Sequence, residues 1–389
     1  MGVRKVRAFA KSNSRSAGHR SARSNAPRSG FSEITFGHPS NQIARTLGYL
    51  LCFSLVAGVL GANVRFAIIG DFGVDDSNER DVANLVATNF QPEFVITGGD
   101  NNYLGGNIDR AIGKYYHQFI GNYAGSYGAG ASSNRFFPAL GNHDWESVGG
   151  YSAHTNYFTL PGNERYYDFV RGPVHVFILN SDPNEPHGNT VTSAQALWFS
   201  NRITSSRSPW RVVICQDPPY SSTEGHAFMR WPFEEWGASI VVSGDSHQYE
   251  RIMRDGFPYL VNGAGGVALA GFGTPITGSV VRYNADHGAM LVNATATNIT
   301  YEFWSVADGG TLIDRFTQVR PALSAVLVSN SMVRVSWLTN GADGCVLETT
   351  GLLPPPNWSA VTQTPQLSGN RYSVTLNATG QTRFIRLRR

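Results

Sequence analysis

The chain has 389 residues, 41% hydrophobic and 15% charged, enough to bury a large core with a smaller unit beside it. Its formal charge of +3 is unevenly held, since residues 1–62 carry nine of the 31 Lys and Arg but one of the 28 Asp and Glu, leaving a mildly acidic remainder. No basic stripe is left for the folded part, which argues against a nucleic-acid-binding surface.

Up to Arg45 the chain is rich in Ser, Arg and Asn and has no apolar period. The run TLGYLLCFSLVAGVLGA follows, ending in small residues near Ala62. A basic flank, a short apolar core and small residues at its end form the layout of a secretory signal. The run is short for a membrane span, which needs about 20 apolar residues. Residues 1–62 are therefore expected to be a basic leader and signal peptide. The product would be secreted, periplasmic or held at the cell surface, without stable membrane insertion once the signal is removed. A retained anchor is the alternative, because Leu60 sits badly before the cut. Cys52 lies in the signal, and Cys215 and Cys345 are far apart, so no disulfide framework is expected.

Beyond the signal, VRFAIIGDFG reads as a buried strand running into a turn, NERDVANLVATNF as a helix, and FVITGGDNNY as strand and turn again. RFFPALGNHDW, VHVFILNSDPN, WRVVICQDPPYSS and IVVSGDSHQYER repeat the pattern, each an apolar run followed by Asp, Asn, His or Gln. Strand ends of this kind gather their polar residues along one edge of a sheet, where α/β folds build their sites. Around Arg320 the texture changes to period-two alternation with Gly, Asn and Pro turns. Residues 320–389 read as a small β-sandwich module, a stabilising or surface-attaching appendage.

Asp71 in GDFG, Asp100 in GGDNNY, Asn142 and His143 in GNHDW, and His247 in GDSHQYER together resemble the calcineurin-like metallophosphoesterases. Tyr103, three residues after Asp100, and YER at 249–251 point to the purple acid phosphatase branch. The resemblance implies an α/β fold, a four-layer α/β/β/α sandwich over residues 63–319, with the all-β module behind it. It also implies a dinuclear metal centre, in which two cations clamp the phosphoryl oxygens and a metal-bound hydroxide attacks phosphorus.

Carried over to this chain, the first metal would take Asp71, Asp100, Tyr103 and His247, and a phenolate among carboxylates suits Fe(III). Asp100 would bridge to the second metal, held with Asn142 and two histidines. Both histidines are replaced here, by Gln216 in ICQDPPYSS and Asp245 in GDSH. An all-oxygen set would favour Mn or Mg over Zn, with Fe(II) or Ca also possible occupants. The bland reading leaves the second site empty, with Asp245 capping a turn. His143 is expected near the leaving-group oxygen, its ring fixed by Asp144, and His226 in STEGHAFMRW reads either as a substrate-facing histidine or as a solvated loop residue. His175 reads as a core histidine, Cys215 as a buried strand residue, and Glu250 with Arg251 as a structural pair. The expected function is hydrolysis of small phosphate monoesters, with an inert phosphoesterase-fold binding protein as the rival. No oligomeric state is legible.

Overall fold

The computed structural model describes residues 63–388 except 322, 330, 340–341, 343–344, 352–356 and 378–382, so the expected signal lies outside the described residues. The chain enters through β1 (Val64–Ile69), β2 (Phe94–Thr97) and β3 (Phe136–Pro138), which pair in parallel. It then builds a second sheet from β4 (Tyr167–Arg171), β5 (Val174–Ile178), β6 (Trp210–Ile214), β7 (Ile240–Ser243), β8 (Tyr249–Arg254), β9 (Phe257–Asn262) and β10 (Ser279–Tyr283). Finally β11 (Gly288–Ala294), β12 (Asn298–Ser305) and β13 (Thr311–Val319) return to the first sheet. The orders are β13-β12-β11-β1-β2-β3 and β10-β8-β9-β7-β6-β5-β4.

The central strands are apolar almost throughout because both of their faces are covered. On β5, Val174, Val176 and Ile178 join the same cluster as Phe66, Ile68 and Phe94 of the facing sheet. Phe177, on the opposite face, packs with Phe199 and Ile203 of a helix.

The short helices are α1 (Ser77–Asn84), α2 (Lys114–Tyr116), α3 (Asn142–Glu146), α4 (Tyr151–Tyr157), α5 (Ala194–Ser205) and α6 (Phe233–Trp236). Val82 of α1 packs into the core of the first sheet, while α5 covers the outer face of the second, giving the α/β/β/α layers. Asp76 starts α1 by accepting from the N–H groups of Asn78 and Glu79.

Residues 324–388 form one four-stranded and one three-stranded antiparallel sheet around a separate core that includes Val333, Val335, Trp337, Leu347, Val374 and Ile385. Cys215 is buried just past β6, and His175 is buried between Asp168 (2.7 Å) and Ser206 (2.8 Å). Glu250 and Arg251, expected as a pair, do not meet. Neighbours on a strand face opposite sides. Glu250 accepts from the Ser222 N–H (2.7 Å) and the Ser279 hydroxyl (2.6 Å), while Arg251 pairs with Asp314 on β13 at 2.7 Å.

Candidate metal centre

Asp71 follows β1, Asp100 follows β2, Asn142 opens α3 after β3, Gln216 follows β6, and Asp245 and His247 follow β7. All therefore sit beyond the carboxyl ends of parallel strands, where the two sheets meet at one edge. Four of these residues bend sharply into the left-handed region, with φ of 56° at Asp71, 50° at Asp100, 65° at Asp245 and 38° at His247. Such conformations cost on the order of 1–3 kcal/mol each in non-glycine residues and persist only where surrounding contacts hold them.

Those contacts are specific. Asp71 accepts from the Asp245 N–H at both oxygens (3.0 and 2.9 Å), and Asp100 from the His143 N–H (2.9 Å). Glycines make room for the carboxylates. A Cβ on Gly141 would lie 2.1 Å from Asp100 Oδ1, and one on Gly244 would lie 2.4 Å from Asp71 Oδ2.

Tyr103 brings the first donor set together. Its hydroxyl lies 3.0 Å from Asp100 Oδ2, 3.4 Å from His247 Nε2 and 3.5 Å from Asp71 Oδ1. Burial, reinforced by mutual repulsion, pushes Asp71 well above the usual carboxylate range, and burial with the nearby Asp144 does the same to Asp100. Burial and these same carboxylates raise Tyr103, and burial lowers His247. Two buried acids, a phenol and a neutral imidazole around one point lack positive charge, so the donor set fits a cation, which would reverse these shifts.

The second expected set is arranged differently. Gln216 donates its amide N–H to Asp71 Oδ1 (3.0 Å), while its buried carbonyl oxygen has no partner and faces the backbone at Gly99 and Gly244. Asp245 turns Oδ2 to His226 Nε2 at 3.0 Å. Asn142 is half-buried at the start of α3. Gln216 thus serves the first centre as a hydrogen-bond donor, and these residues do not fit a second cation held by four side-chain oxygens.

His143 lies against the Tyr103 ring, with centroids 4.3 Å apart, and keeps a half-exposed side chain. Asp144 does not fix that ring. Instead it accepts from the Gly141 N–H (2.9 Å), the Asn101 N–H (3.1 Å) and the Asn101 amide (2.7 Å), which joins the GGDNN and GNHD turns. Asn101 was missed in the sequence because an asparagine beside a turn aspartate carries no distinguishing pattern. Asp217 was missed similarly. Its Oδ1 lies 3.5 Å from His226 Nε2, beside Asp245.

A sequence model of the calcineurin-like phosphoesterase family matches residues 64–249, the part that carries every strand end described above. The chain thus contains a calcineurin-like phosphoesterase domain. Within that class its similarity runs to purple acid phosphatases. It is 24% identical over 290 residues to purple acid phosphatase 1 of Ipomoea batatas, covering 67% of this chain and 53% of that protein. It is 24% identical over 217 residues to a phosphoenolpyruvate phosphatase of Allium cepa, covering 50% and 43%. The chain spans about half the length of these curated relatives.

Among solved structures, it resembles purple acid phosphatase PPD1 from yellow lupin (Lupinus luteus) seeds, with TM-score 0.55 and 18% identity, covering 67% of this chain and 54% of that one. It also resembles GAP50, the anchor in the inner membrane complex of Plasmodium, with TM-score 0.53 and 17% identity, covering 67% and 90%. The family implies a dinuclear metal centre. No described helix is long and apolar enough to cross a membrane.

Proposed function

We propose that the chain is an exported metal-dependent phosphatase that hydrolyses small phosphate monoesters at the edge shared by its two sheets. The observation carrying this reading is the convergence of Asp71, Asp100 and His247 on the Tyr103 hydroxyl, in a cluster short of positive charge. A bound cation would supply Lewis acidity to the phosphoryl oxygens and acidify water, and Fe(III) suits the phenolate.

The protein's own part is to hold the donors, orient the ester and move a proton. Asp71 and Asp100 are fixed by the N–H groups of Asp245 and His143, so they do not reorganise when charge develops on phosphorus. His143, at the half-exposed rim, would protonate the leaving oxygen. His226 stands beside this centre, 3.0 Å from Asp245 and 3.5 Å from Asp217. An export signal ending near Ala62 fits the uneven charge of the chain.

The test pairs elemental analysis of protein purified without added metal with a screen of phosphate monoesters. Stoichiometric metal that is lost in Asp100→Asn, together with hydrolysis that is lost with it, is the expected result. A second reading, a phosphoesterase-fold binding protein without turnover, is favoured by the rearranged Gln216 and Asp245, and GAP50 offers a fold precedent in an anchor. Metal at the first centre with no hydrolysis of any ester would select it.

A further inference from the structure

Beside the first centre, three side chains from separate loops turn toward one point. Asp217 comes from the loop after β6, His226 from the loop before α6, and Asp245 from the turn after β7. His226 Nε2 lies 3.0 Å from Asp245 Oδ2 and 3.5 Å from Asp217 Oδ1, and one donor atom from each residue lies within 4.8 Å of the other two. Among the described residues, this is the group of His, Cys, Asp and Glu donors that closes so tightly. The first centre needs its tyrosine to do so.

Three atoms spaced in this way are close enough to share one first-row divalent ion, whose nitrogen and oxygen bonds are about 2.0–2.2 Å long. All three side chains are partly open, at 18–21% exposure, so water and a ligand oxygen can complete the shell. Asp245 connects this point to the first centre, since its N–H binds Asp71 while its carboxylate belongs to the triad.

We infer that Asp217, His226 and Asp245 form a displaced second cation site for a zinc- or manganese-type divalent ion, and that Gln216 and Asn142 do not ligate it. One imidazole with two carboxylates accepts either ion, so zinc is not disfavoured as it would be by an all-oxygen set. The inference rests on the first centre holding its own cation.

The experiment uses the full chain, stripped with chelator and titrated with Mn(II), following loss of the free-ion electron paramagnetic resonance signal and checking bound metal by elemental analysis. Wild type is expected to bind two ions. Asp217→Asn and His226→Gln should each bind one, Gln216→Ala should still bind two, and His247→Ala should lose the other ion. Thermal unfolding of each stripped variant shows whether it is folded. Two ions in Asp217→Asn and His226→Gln, or one ion fewer in Gln216→Ala alone, would overturn the displaced site. One ion in wild type that is lost in His247→Ala would also overturn it, leaving the triad as an ion pair and the first centre intact. No ion in wild type removes both readings.

Discussion

At the scale of single residues, the first centre depends on Tyr103 supplying the oxygen on which the other donors converge. Iron bound there should give a broad visible charge-transfer band that disappears in Tyr103→Phe. Stoichiometric iron without such a band would show that the phenol does not ligate. Gly141 is fixed for a different reason, since a methyl group there would sit 2.1 Å from Asp100 Oδ1. Gly141→Ala should therefore shift Asp100 and lower kcat by about 100-fold, because displacing a positioned group by about 1 Å costs that much. Steady-state kinetics with the variant's melting temperature separate this from simple unfolding.

The placement of Asp71 and Asp100 just beyond strand ends was legible in the sequence because each follows an apolar run. Their left-handed backbone was not, since aspartate enters turns of many kinds. Nor was the partnership of Asp217 with His226, which depends on how two loops fold over the sheet edge.

At the scale of elements, the apolar runs made the strands readable, and NERDVANLVATNF falls on α1 and the wider turn Leu85–Phe90 that continues it. Charges buried under the helices left no such trace. Glu79 on α1 is fully buried, with one carboxyl oxygen on the Asp75 N–H and the other unpartnered, and burial pushes it to about 8. His154 on α4 is buried with neither ring nitrogen bonded, and burial pushes it down to about 3.

The two groups act on stability with opposite signs. Glu79 must keep its proton in the folded state, so its contribution is complete below pH about 4.5 and is lost as pH rises toward 8. His154 must stay neutral, so its contribution is complete above pH about 6.5 and is lost as pH falls toward 3. Glu79→Gln should flatten the alkaline side of a plot of melting temperature against pH, and His154→Phe the acid side. If either variant leaves its own side unchanged, that group does not titrate as described.

At the scale of the whole molecule, the module at 324–388 has its own core, while β13 closes the first sheet before it begins. A chain ending after Arg320 should therefore keep its metal content and hydrolyse a small ester within about twofold of the full chain, since no strand of either large sheet is removed. Loss of metal on truncation would show that the module supports the site. The module's β character was visible in the alternation of its sequence, but which strands pair in each of its two sheets was not, because pairing partners far apart in the chain leave no local pattern.

The hydrogen bond from the Asp245 N–H to Asp71 spans 174 positions of chain and staples one sheet to the other. Such a clasp closes only after both sheets have formed, since contacts this distant come at the end of a long loop closure. A cation at the clasp should leave the refolding rate unchanged and slow the unfolding rate, acting as a late latch. Stopped-flow chevrons with and without metal would then share a folding limb and separate on the unfolding limb. Protection of this protein by its metal would accordingly be measured as lifetime rather than as speed of assembly.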